Sequence, residues 1–387
     1  MNNPNAEEAT LQGHHHTSRE ISGQPTLWRE TYELLLNQQE SLRQFLRPLW
    51  ALPALNVILT GAGTSAFIGE ALLGSFLAHT GKLTRAVATT DLVSHPTHYL
   101  PPSAPTLLVS FARSGNSPES VAAVEVANTV CSEVYHLIIT CNPLGKLALQ
   151  ENGHQRYVIT LPPAANDQGL AMTGSFSDML LTGLLITRLD SLRDLRPQVE
   201  ALATYGTRVL HHFSASLQKV ADLPFRRVVF LGSGPLLGTA QESQLKVQEL
   251  TDGQVVGKYD SFLGFRHGPK VVADAHTLLV FLFSNDPYVQ QYEVDLAQEL
   301  HQGAKGLYTI GVAEQQVPEV AVDLWISLSE GQPVEEAFLA VASVLPAQLL
   351  GYYKSLQLGL NPDEPSASGT ISRVVQGVKI YPYPATP

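Results

Sequence analysis

The chain of 387 residues has few charged side chains, few cysteines and no long apolar run. Charged residues make up 15% of it, against about 25% in an average globular protein, which predicts a surface that is neutral or covered by another subunit. The net charge of -11 has the wrong sign for binding nucleic acid. Two cysteines, Cys131 and Cys141, make no disulfide framework and indicate a cytoplasmic location.

The sequence also lacks a membrane segment, a secretory signal and a metal motif. The longest apolar stretch, residues 337–350, is broken by Ser343 and Pro346 and is shorter than the ~20 residues of a membrane helix. Residues 1–20 are polar and contain no apolar signal core. The three histidines at 14–16 cannot close a metal site alone, and no other cluster has ligand spacing. We therefore predict no membrane contact, no metal and no cofactor.

The second half of the sequence repeats the pattern of the first. A glycine pair follows an apolar run at Gly61 and again at Gly232, 171 positions later. Two further apolar runs, at 106–109 and 137–140, recur at the same distance, at 277–280 and 308–311. One spacing kept at three places predicts a duplicated chain.

Each copy alternates short runs of valine, isoleucine and leucine with longer helical stretches. Continuous apolar strands indicate burial on both faces, and hence a mostly parallel sheet covered by helices. We therefore predict an α/β fold in four parts. These are an N-terminal leader and helix at 1–50, a first domain at 51–205, a second domain at 206–360 and a C-terminal arm or lid at 361–387.

Three segments outside the sheets have their own predictions. Residues 28–50 show the apolar spacing of an amphipathic helix that ends at Pro48. A second helix, at 195–220, is expected to join the two copies. The tail is rich in serine, glycine and proline, and we expect it to wrap back as an extended arm.

The first loop of interest follows the first strand, at the edge where parallel sheets bind ligands. Its glycines, Gly61 and Gly63, match a loose dinucleotide fingerprint, for which Asp91 is the candidate ribose acceptor. The hydroxyls of Thr64 and Ser65 favour a phosphate instead, placed at the start of a helix. The residues of this loop alone leave both interpretations open.

A second loop of the same copy carries Arg113, Ser114, Asn116 and Ser117 before another helix. Because neighbouring parallel strands end at one edge, the two loops are expected to converge around one phosphate. The alternative is that these side chains only cap the helix, since serine and asparagine are favoured caps.

The second copy contributes charged side chains. Glu242, Lys246 and Glu249 recur at a spacing that puts them on one helix face. That face is either an exposed ion-pair stripe or a carboxylate beside an ammonium that acts as a base. His267, in a later loop with Gly268, is either a hydrogen-bonding accessory or a proton carrier.

These motifs occur in the order found in the sugar isomerase (SIS) family, which the chain resembles over both halves. The resemblance is closest to the galactosamine-6-phosphate deaminase/isomerase branch, long called tagatose-6-phosphate ketose/aldose isomerase. It rests on four segments: 114–124, 258–261, 264–270 and 365–370. It implies two tandem SIS domains, each a mostly parallel five-stranded sheet flanked by helices in a flavodoxin-like three-layer sandwich.

The resemblance also implies a role for each candidate site residue. Glu249 is similar to the carboxylate that moves a proton between C1 and C2, with Glu242 and Lys246 as supporting charges. His267 is similar to the histidine that opens the sugar ring, reaching in from the neighbouring subunit. The residues implied to bind or shape the site of the 6-phosphate are Gly63, Thr64, Ser65, Arg113, Ser114, Asn116 and Ser117.

Two positions depart from the family pattern or match it loosely. Ala112 stands where many relatives have a serine, so Arg113 or Ser110 is expected to compensate. Thr173 matches a loop that carries a serine near the sugar, and Arg373 lies in a tail similar to the family's lid.

The implied reaction converts galactosamine 6-phosphate to tagatose 6-phosphate and ammonia, in a homodimer or a larger homo-oligomer. The alternatives are an isomerase of another hexose or hexosamine 6-phosphate and a catalytically inactive sugar-phosphate sensor.

Overall fold

The computed structural model describes residues 15–150, 155–303, 306–329, 331–375 and 377–384, which form two five-stranded sheets with helices around them. The elements of the first half are α1 (His16–Trp50), β1 (Asn56–Thr60), α2 (Thr64–Thr80), β2 (Leu83–Ala86), α3 (Thr89–Ser94), α4 (Pro96–Tyr99), β3 (Thr106–Ala112), α5 (Pro118–Val130), β4 (Val134–Thr140), α6 (Lys146–Leu149), β5 (Arg156–Thr160) and α7 (Gly174–Ile186). Those of the second half are α8 (Arg196–Arg208), α9 (Ser214–Ala221), β6 (Arg227–Leu231), α10 (Pro235–Leu250), β7 (Val256–Asp260), α11 (Phe262–Phe265), β8 (Thr277–Leu282), α12 (Pro287–Gln302), β9 (Tyr308–Ala313), β10 (Leu324–Ser327), α13 (Glu336–Ala342) and α14 (Leu345–Gln357). Within the described ranges, no helix is both long and apolar enough to cross a membrane.

The two sheets have the same strand order and the same register. The first runs β2-β1-β3-β4-β5, and the second, read from its β7 edge, runs β7-β6-β8-β9-β10. Val57 pairs with Leu107 in the first sheet, and Val228 pairs with Leu278 in the second, so the spacing of the sequence repeat is also the spacing of the strand pairs. The predicted fold class, two tandem α/β domains with parallel sheets, is confirmed.

The central strands are buried on both faces. All seven residues of β3 and all six of β8 are buried. Leu107 and Val109 face the core that is shared with the second sheet, whereas Leu108 packs with the helices on the other side. This burial is what the uninterrupted apolar runs predicted.

Helices α2 and α10 join the two halves at close range. Gly238 of α10 packs against α2 so tightly that a Cβ atom there would lie 2.5 Å from the backbone nitrogen of Ala71. Because only glycine allows this approach, the N-terminal turn of α2 comes within reach of side chains on α10. This contact between the halves builds the site described below.

The prediction for the first helix was wrong at both ends. The helix begins at His16 rather than at residue 28, and it continues past Pro48 to Trp50. Its first turn is fixed by Asp363 of the tail, whose Oδ1 accepts bonds of 2.8 Å from both the amide and the hydroxyl of Thr17. A contact between residues so far apart in sequence leaves no local signal. In addition, the first residues of the helix are polar, so the sequence shows no helical spacing of apolar residues there.

The other two segments follow their predictions. Helices α8 and α9, with one π-helical turn between them at Val209–Phe213, form the helical connection between the halves. The described part of the tail has no helix or strand and wraps back onto the first half. There the amide of Leu170 donates to the carbonyl of Asp363 over 2.9 Å.

Candidate functional site

A cavity of about 590 Å³ lies beyond the carboxyl ends of β1 and β3. It is lined by both predicted loops of the first half, by side chains of α10 from the second half and by the tail. Leu170, Met172 and Phe111 add apolar wall. The predicted site residues that line the cavity are Gly63, Thr64, Ser65, Arg113, Ser114, Ser117, Lys246, Glu249 and Arg373.

The first loop presents the start of α2 to the cavity. Gly63 has φ 55° and ψ -128°, a conformation that a residue with a Cβ atom rarely adopts, and the helix begins at the next residue. Gly61 lies so close to Ser65 that a Cβ atom would be 2.5 Å from it. The hydroxyls of Thr64 and Ser65 therefore lie at the positive end of the helix dipole, which favours an anion.

The second loop is a folded turn with a free hydroxyl. The amide of Asn116 donates to Ser114 Oγ over 3.2 Å, and the Asn116 side chain accepts a bond of 2.9 Å from the amide of Lys146. Ser117 is the N-cap residue of α5, yet its side chain makes no capping bond. The interpretation as caps alone does not account for Ser117, whose side chain lines the cavity instead. Asn116 shapes the turn and is not among the described lining residues.

Arg113 connects the wall of the cavity to the tail. The residue is 6% exposed, and its guanidinium donates to the carbonyls of Gly169 and Leu170 over 3.2 and 3.1 Å. It also donates to the carbonyl of Arg373 over 2.7 Å. Arg373 in turn donates to the carbonyl of Asp167 over 2.9 Å. These bonds fix the tail over the cavity.

The charged face of α10 is buried, so the interpretation as an exposed ion-pair stripe is wrong. The side chains of Glu242 and Lys246 are 0% and 1% exposed, and Lys246 Nζ lies 3.3 Å from Glu242 Oε1. Lys246 donates to Glu249 Oε2 over 2.6 Å and to Thr64 Oγ1 over 3.1 Å. A single ammonium thus joins the carboxylate of the second half to the hydroxyl loop of the first.

The three charged groups of α10 cannot all be ionised without leaving a net charge in the interior. Burial raises the pKa of Glu242 to about 8, against the opposing effect of Lys246. Burial alone would lower the pKa of Lys246, but Glu242 and Glu249 hold it above its ordinary value. This raised pKa keeps Glu242 protonated at neutral pH, and the ion pair of Lys246 and Glu249 faces the cavity.

The raised pKa of Glu242 makes stability depend on pH. The folded protein keeps this proton up to about pH 8, whereas the unfolded chain releases it near pH 4.5, so the stabilisation is complete below the lower value and is lost as pH rises through the upper one. Glu242→Gln removes this titration. We expect the free energy of unfolding of the wild type to fall relative to Glu242→Gln by on the order of a few kcal/mol between about pH 5 and about pH 8.5.

Urea unfolding at the two pH values measures this difference. Glu40→Gln, which changes an exposed side chain of α1, is the matched control and should follow the wild type. Parallel pH profiles for the wild type and Glu242→Gln would show that Glu242 is not protonated in the folded state.

Besides Asn116, three predicted residues are not among the described lining residues: Thr173, His267 and Glu242, which lies behind Lys246. Thr173 is fully buried and is not among the described lining residues, because its hydroxyl donates to Asp167 Oδ1 over 3.1 Å. His267 is exposed in the loop after α11, and it is also not among those residues.

Asp167 is a residue that the sequence did not reveal. Its carboxylate accepts the amides of Thr173, Gly174 and Ser175 at 2.7 to 3.1 Å, at the start of α7. It lies seven positions before Gly174, the first residue of that helix, which is too far for a capping pattern to be read. Asp167 therefore fixes the loop that carries Leu170 and Met172 into the cavity.

In the second half, the turn at Gly234 matches the turn at Gly63, but carboxyl groups of the chain itself lie beside it. Gly234 has the same φ of 55° and ψ of -128° as its counterpart in the first half. Next to it, the amide of Ser284 donates to Glu293 over 2.8 Å and its hydroxyl donates to Glu336. Burial raises the pKa of Glu293 to about 8. Among the described residues, only the first copy of the turn lines the large cavity.

Two parallel sheets that share a cavity of hydroxyls and a buried charge pair define the class of double sugar isomerase domains. The model of the SIS domain family matches residues 53–188. The chain belongs to this family, as the resemblance predicted. A protein named D-galactosamine-6-phosphate deaminase AgaS from Shewanella sp. (strain ANA-3) is 42% identical over 386 residues, covering 98% of this chain and 95% of that protein.

Further relatives cover both halves as well. The protein of the same name from Escherichia coli O157:H7 is 42% identical over 375 residues, or 95% of this chain and 96% of the relative. The crystal structure of tagatose-6-phosphate ketose/aldose isomerase from Escherichia coli has a TM-score of 0.89 and 38% identity, covering 97% of this chain and 99% of that chain.

Proposed function

We propose that the protein is a deaminase/isomerase that converts galactosamine 6-phosphate and water to tagatose 6-phosphate and ammonia. The observation that carries the proposal is that Lys246 bonds both Glu249 and Thr64, which places a carboxylate of the second half at the hydroxyl loops of the first. The names of relatives with 42% identity over nearly the whole chain support the same substrate.

The phosphate end of the sugar is assigned to the hydroxyl loops. Thr64, Ser65, Ser114 and Ser117 supply short neutral donors at two helix starts, and Arg113 adds a buried positive charge in the cavity wall. Arg113 and Ser110 were the candidates for replacing the serine missing at position 112. Of these two, Arg113 lines the cavity.

The chemistry needs no cofactor. Ring opening exposes a carbonyl at C1, which acidifies the hydrogen on C2, and Glu249 removes that proton to give an enolamine. Return of the proton to C1 gives an imine at C2, and addition of water releases ammonia and leaves the ketose phosphate. Lys246 donates to Glu249 Oε2 over 2.6 Å, which orients this carboxyl group at the cavity.

His267 is assigned to the site of a second copy in a homodimer. Among the described strands, β7 is an edge strand paired with β6 alone. Leu263 and Val271, which flank the His267 loop, are 50% and 84% exposed. Exposed edges and apolar side chains of this kind are surfaces that another chain covers. There the imidazole of His267 would move a proton between O1 and the ring oxygen as the sugar opens.

The remaining assignments complete the proposal. The two domains span 51–205 and 206–360. Arg373 belongs to a lid, which it ties to the loop at Asp167. Thr173 acts on the sugar only through Asp167 and the loop that Asp167 orders. Both cysteines are free thiols, which supports a cytoplasmic location.

A coupled ammonia assay with galactosamine, glucosamine and mannosamine 6-phosphates tests the function. We expect ammonia from galactosamine 6-phosphate. Interconversion of hexose 6-phosphates without ammonia release from any amino sugar would instead assign the isomerase activity that the solved Escherichia coli structure is named for. Binding of sugar phosphates without turnover would make the protein a sensor, an outcome that the retained Glu249 and Lys246 pair opposes.

Removal of the hydroxyls assigned to the phosphate is expected to weaken substrate binding. Ser65→Ala and Ser117→Ala should each raise KM by about 10-fold to 100-fold, because a hydrogen bond to a charged group contributes about 1.5–3 kcal/mol. The value of kcat should change little, since the phosphate is bound equally before and during the reaction. Ser132→Ala, on the exposed surface, is the control. An unchanged KM in both variants would place the phosphate elsewhere.

A further inference from the structure

A second cavity, of about 580 Å³, lies at the other end of the first domain. It is formed where α1, α2 and α7 end, and it also contacts the segment after α7. Three arginines, Arg43, Arg47 and Arg188, line it together with Trp50. We call it the arginine cavity. Nothing in the proposed function uses these residues.

The arginine cavity has more cations than carboxylates. Arg43 pairs with Asp190 over 2.6 Å, and Arg188 pairs with Glu335 over 2.5 Å. Arg47 has no ion pair with any residue that the structure describes. Arg43 also lies 4.0 Å from Glu40 through its other terminal nitrogen, whereas the pair of Arg188 engages one nitrogen. Each guanidinium has five N–H donors, so several remain available to a ligand. On a chain with a net charge of -11, this is a local excess of positive charge.

Stabilisation of helix ends explains only part of this cluster. Arg47 and His79 are in the last turns of α1 and α2, where a cation is favourable. However, burial and the nearby Arg188 lower the pKa of His79, which favours a neutral ring. Arg188 lies beyond α7 and its side chain is only 21% exposed. Arg188 is half-buried, and a helix end does not account for its position at an open cavity.

The two cavities are separate. Helix α2 begins with Thr64 at the substrate cavity and ends with Thr80 at the arginine cavity, and its 17 residues span roughly 25 Å. Helix α7 likewise begins beside Met172 and ends at Ile186 in the arginine cavity. A ligand of sugar size in one cavity therefore cannot reach the other.

We propose that the arginine cavity is a second binding site, for a phosphorylated small molecule. Guanidinium groups match phosphate oxygens in planar, two-pronged hydrogen bonds, and three of them converge here. The ring of Trp50 offers an apolar face to a sugar. The cavity has nearly the volume of the substrate cavity, which fits a ligand of similar size.

Calorimetric titration with glucose 6-phosphate at low ionic strength tests the second site on the full-length protein. We expect two molecules bound per chain. Arg47→Ala should weaken one of the two binding events by about 10-fold or more, as expected for a lost charged hydrogen bond, and leave the other unchanged. Because Arg47 is exposed and has no ion pair in the described chain, this variant should fold normally.

Matched variants separate the site from a general effect of charge. Arg29→Ala removes an exposed arginine from the same helix, outside both cavities, and should bind like the wild type. Arg47→Lys should restore part of the lost affinity, since the charge remains but the planar fork is absent. A single binding event that Arg47→Ala leaves unchanged, or equal binding by Arg47→Ala and Arg29→Ala, would overturn the proposal. If the proposed function is wrong, binding at the substrate cavity would be absent, and the wild type would show a single binding event that Arg47→Ala weakens.

Discussion

Glu249→Gln is expected to remove turnover while the substrate still binds. A positioned base contributes about 10²–10⁴-fold to the rate, so kcat for ammonia release should fall by about that factor. The substrate should still bind within about tenfold of its wild-type affinity, because the hydroxyls assigned to the phosphate are unchanged. Single-turnover kinetics and calorimetry with galactosamine 6-phosphate measure the two quantities separately.

The fold should survive this change, because Lys246 has a second carboxyl group within reach. Its Nζ atom lies 3.3 Å from Glu242, which can ionise when Glu249 no longer carries a charge. Glu200→Gln, at an exposed ion pair with Arg29, is the control for loss of one carboxylate and should be fully active. A Glu249→Gln enzyme with wild-type kcat would exclude Glu249 as the base.

The same reasoning predicts what the double variant does. With both Glu242 and Glu249 changed to glutamine, the ammonium of Lys246 would remain buried without a carboxylate, which the folded state tolerates poorly.

The burial of Glu242, Lys246 and Glu249 is also why the sequence left their role open. Spacing put the three side chains on one face of α10, but only the packing of Gly238 on α2 shows that this face meets the first half.

Much of the fold could be read from the sequence because its signals are local. Continuous apolar runs identified the parallel strands, and the glycine pairs marked the same turn twice. What could not be read depends on distant partners. The first helix starts early because Asp363 fixes Thr17. Thr173 lies away from the cavity because Asp167 binds its hydroxyl.

The duplication also hid a difference between the two halves. The turns at Gly63 and Gly234 have the same conformation. The second turn, however, lies beside the carboxyl groups of Glu293 and Glu336, which come from two helices later in the chain. The conformation of a turn follows from its glycines, whereas its occupant depends on tertiary packing.

Mixing two inactive variants should restore activity if His267 serves the site of the neighbouring subunit. Homodimers of His267→Ala lack the ring-opening imidazole, and homodimers of Glu249→Gln lack the base. In a mixed dimer, one site combines the intact Glu249 of one chain with the intact His267 of the other, and the second site carries both changes. Random assembly makes half of the dimers mixed, so about a quarter of all sites should be intact.

Coexpression with two affinity tags, followed by the ammonia assay on the purified mixed dimer, measures the recovery. The control pairs Glu249→Gln with a chain that carries both changes, which should yield no active site because no chain supplies Glu249. If His267 acted within its own chain, both sites of the mixed dimer would keep one defect each and no activity would return. Its exposed position beside Leu263 and Val271 favours recovery, because a second copy that covers this surface would take the imidazole with it.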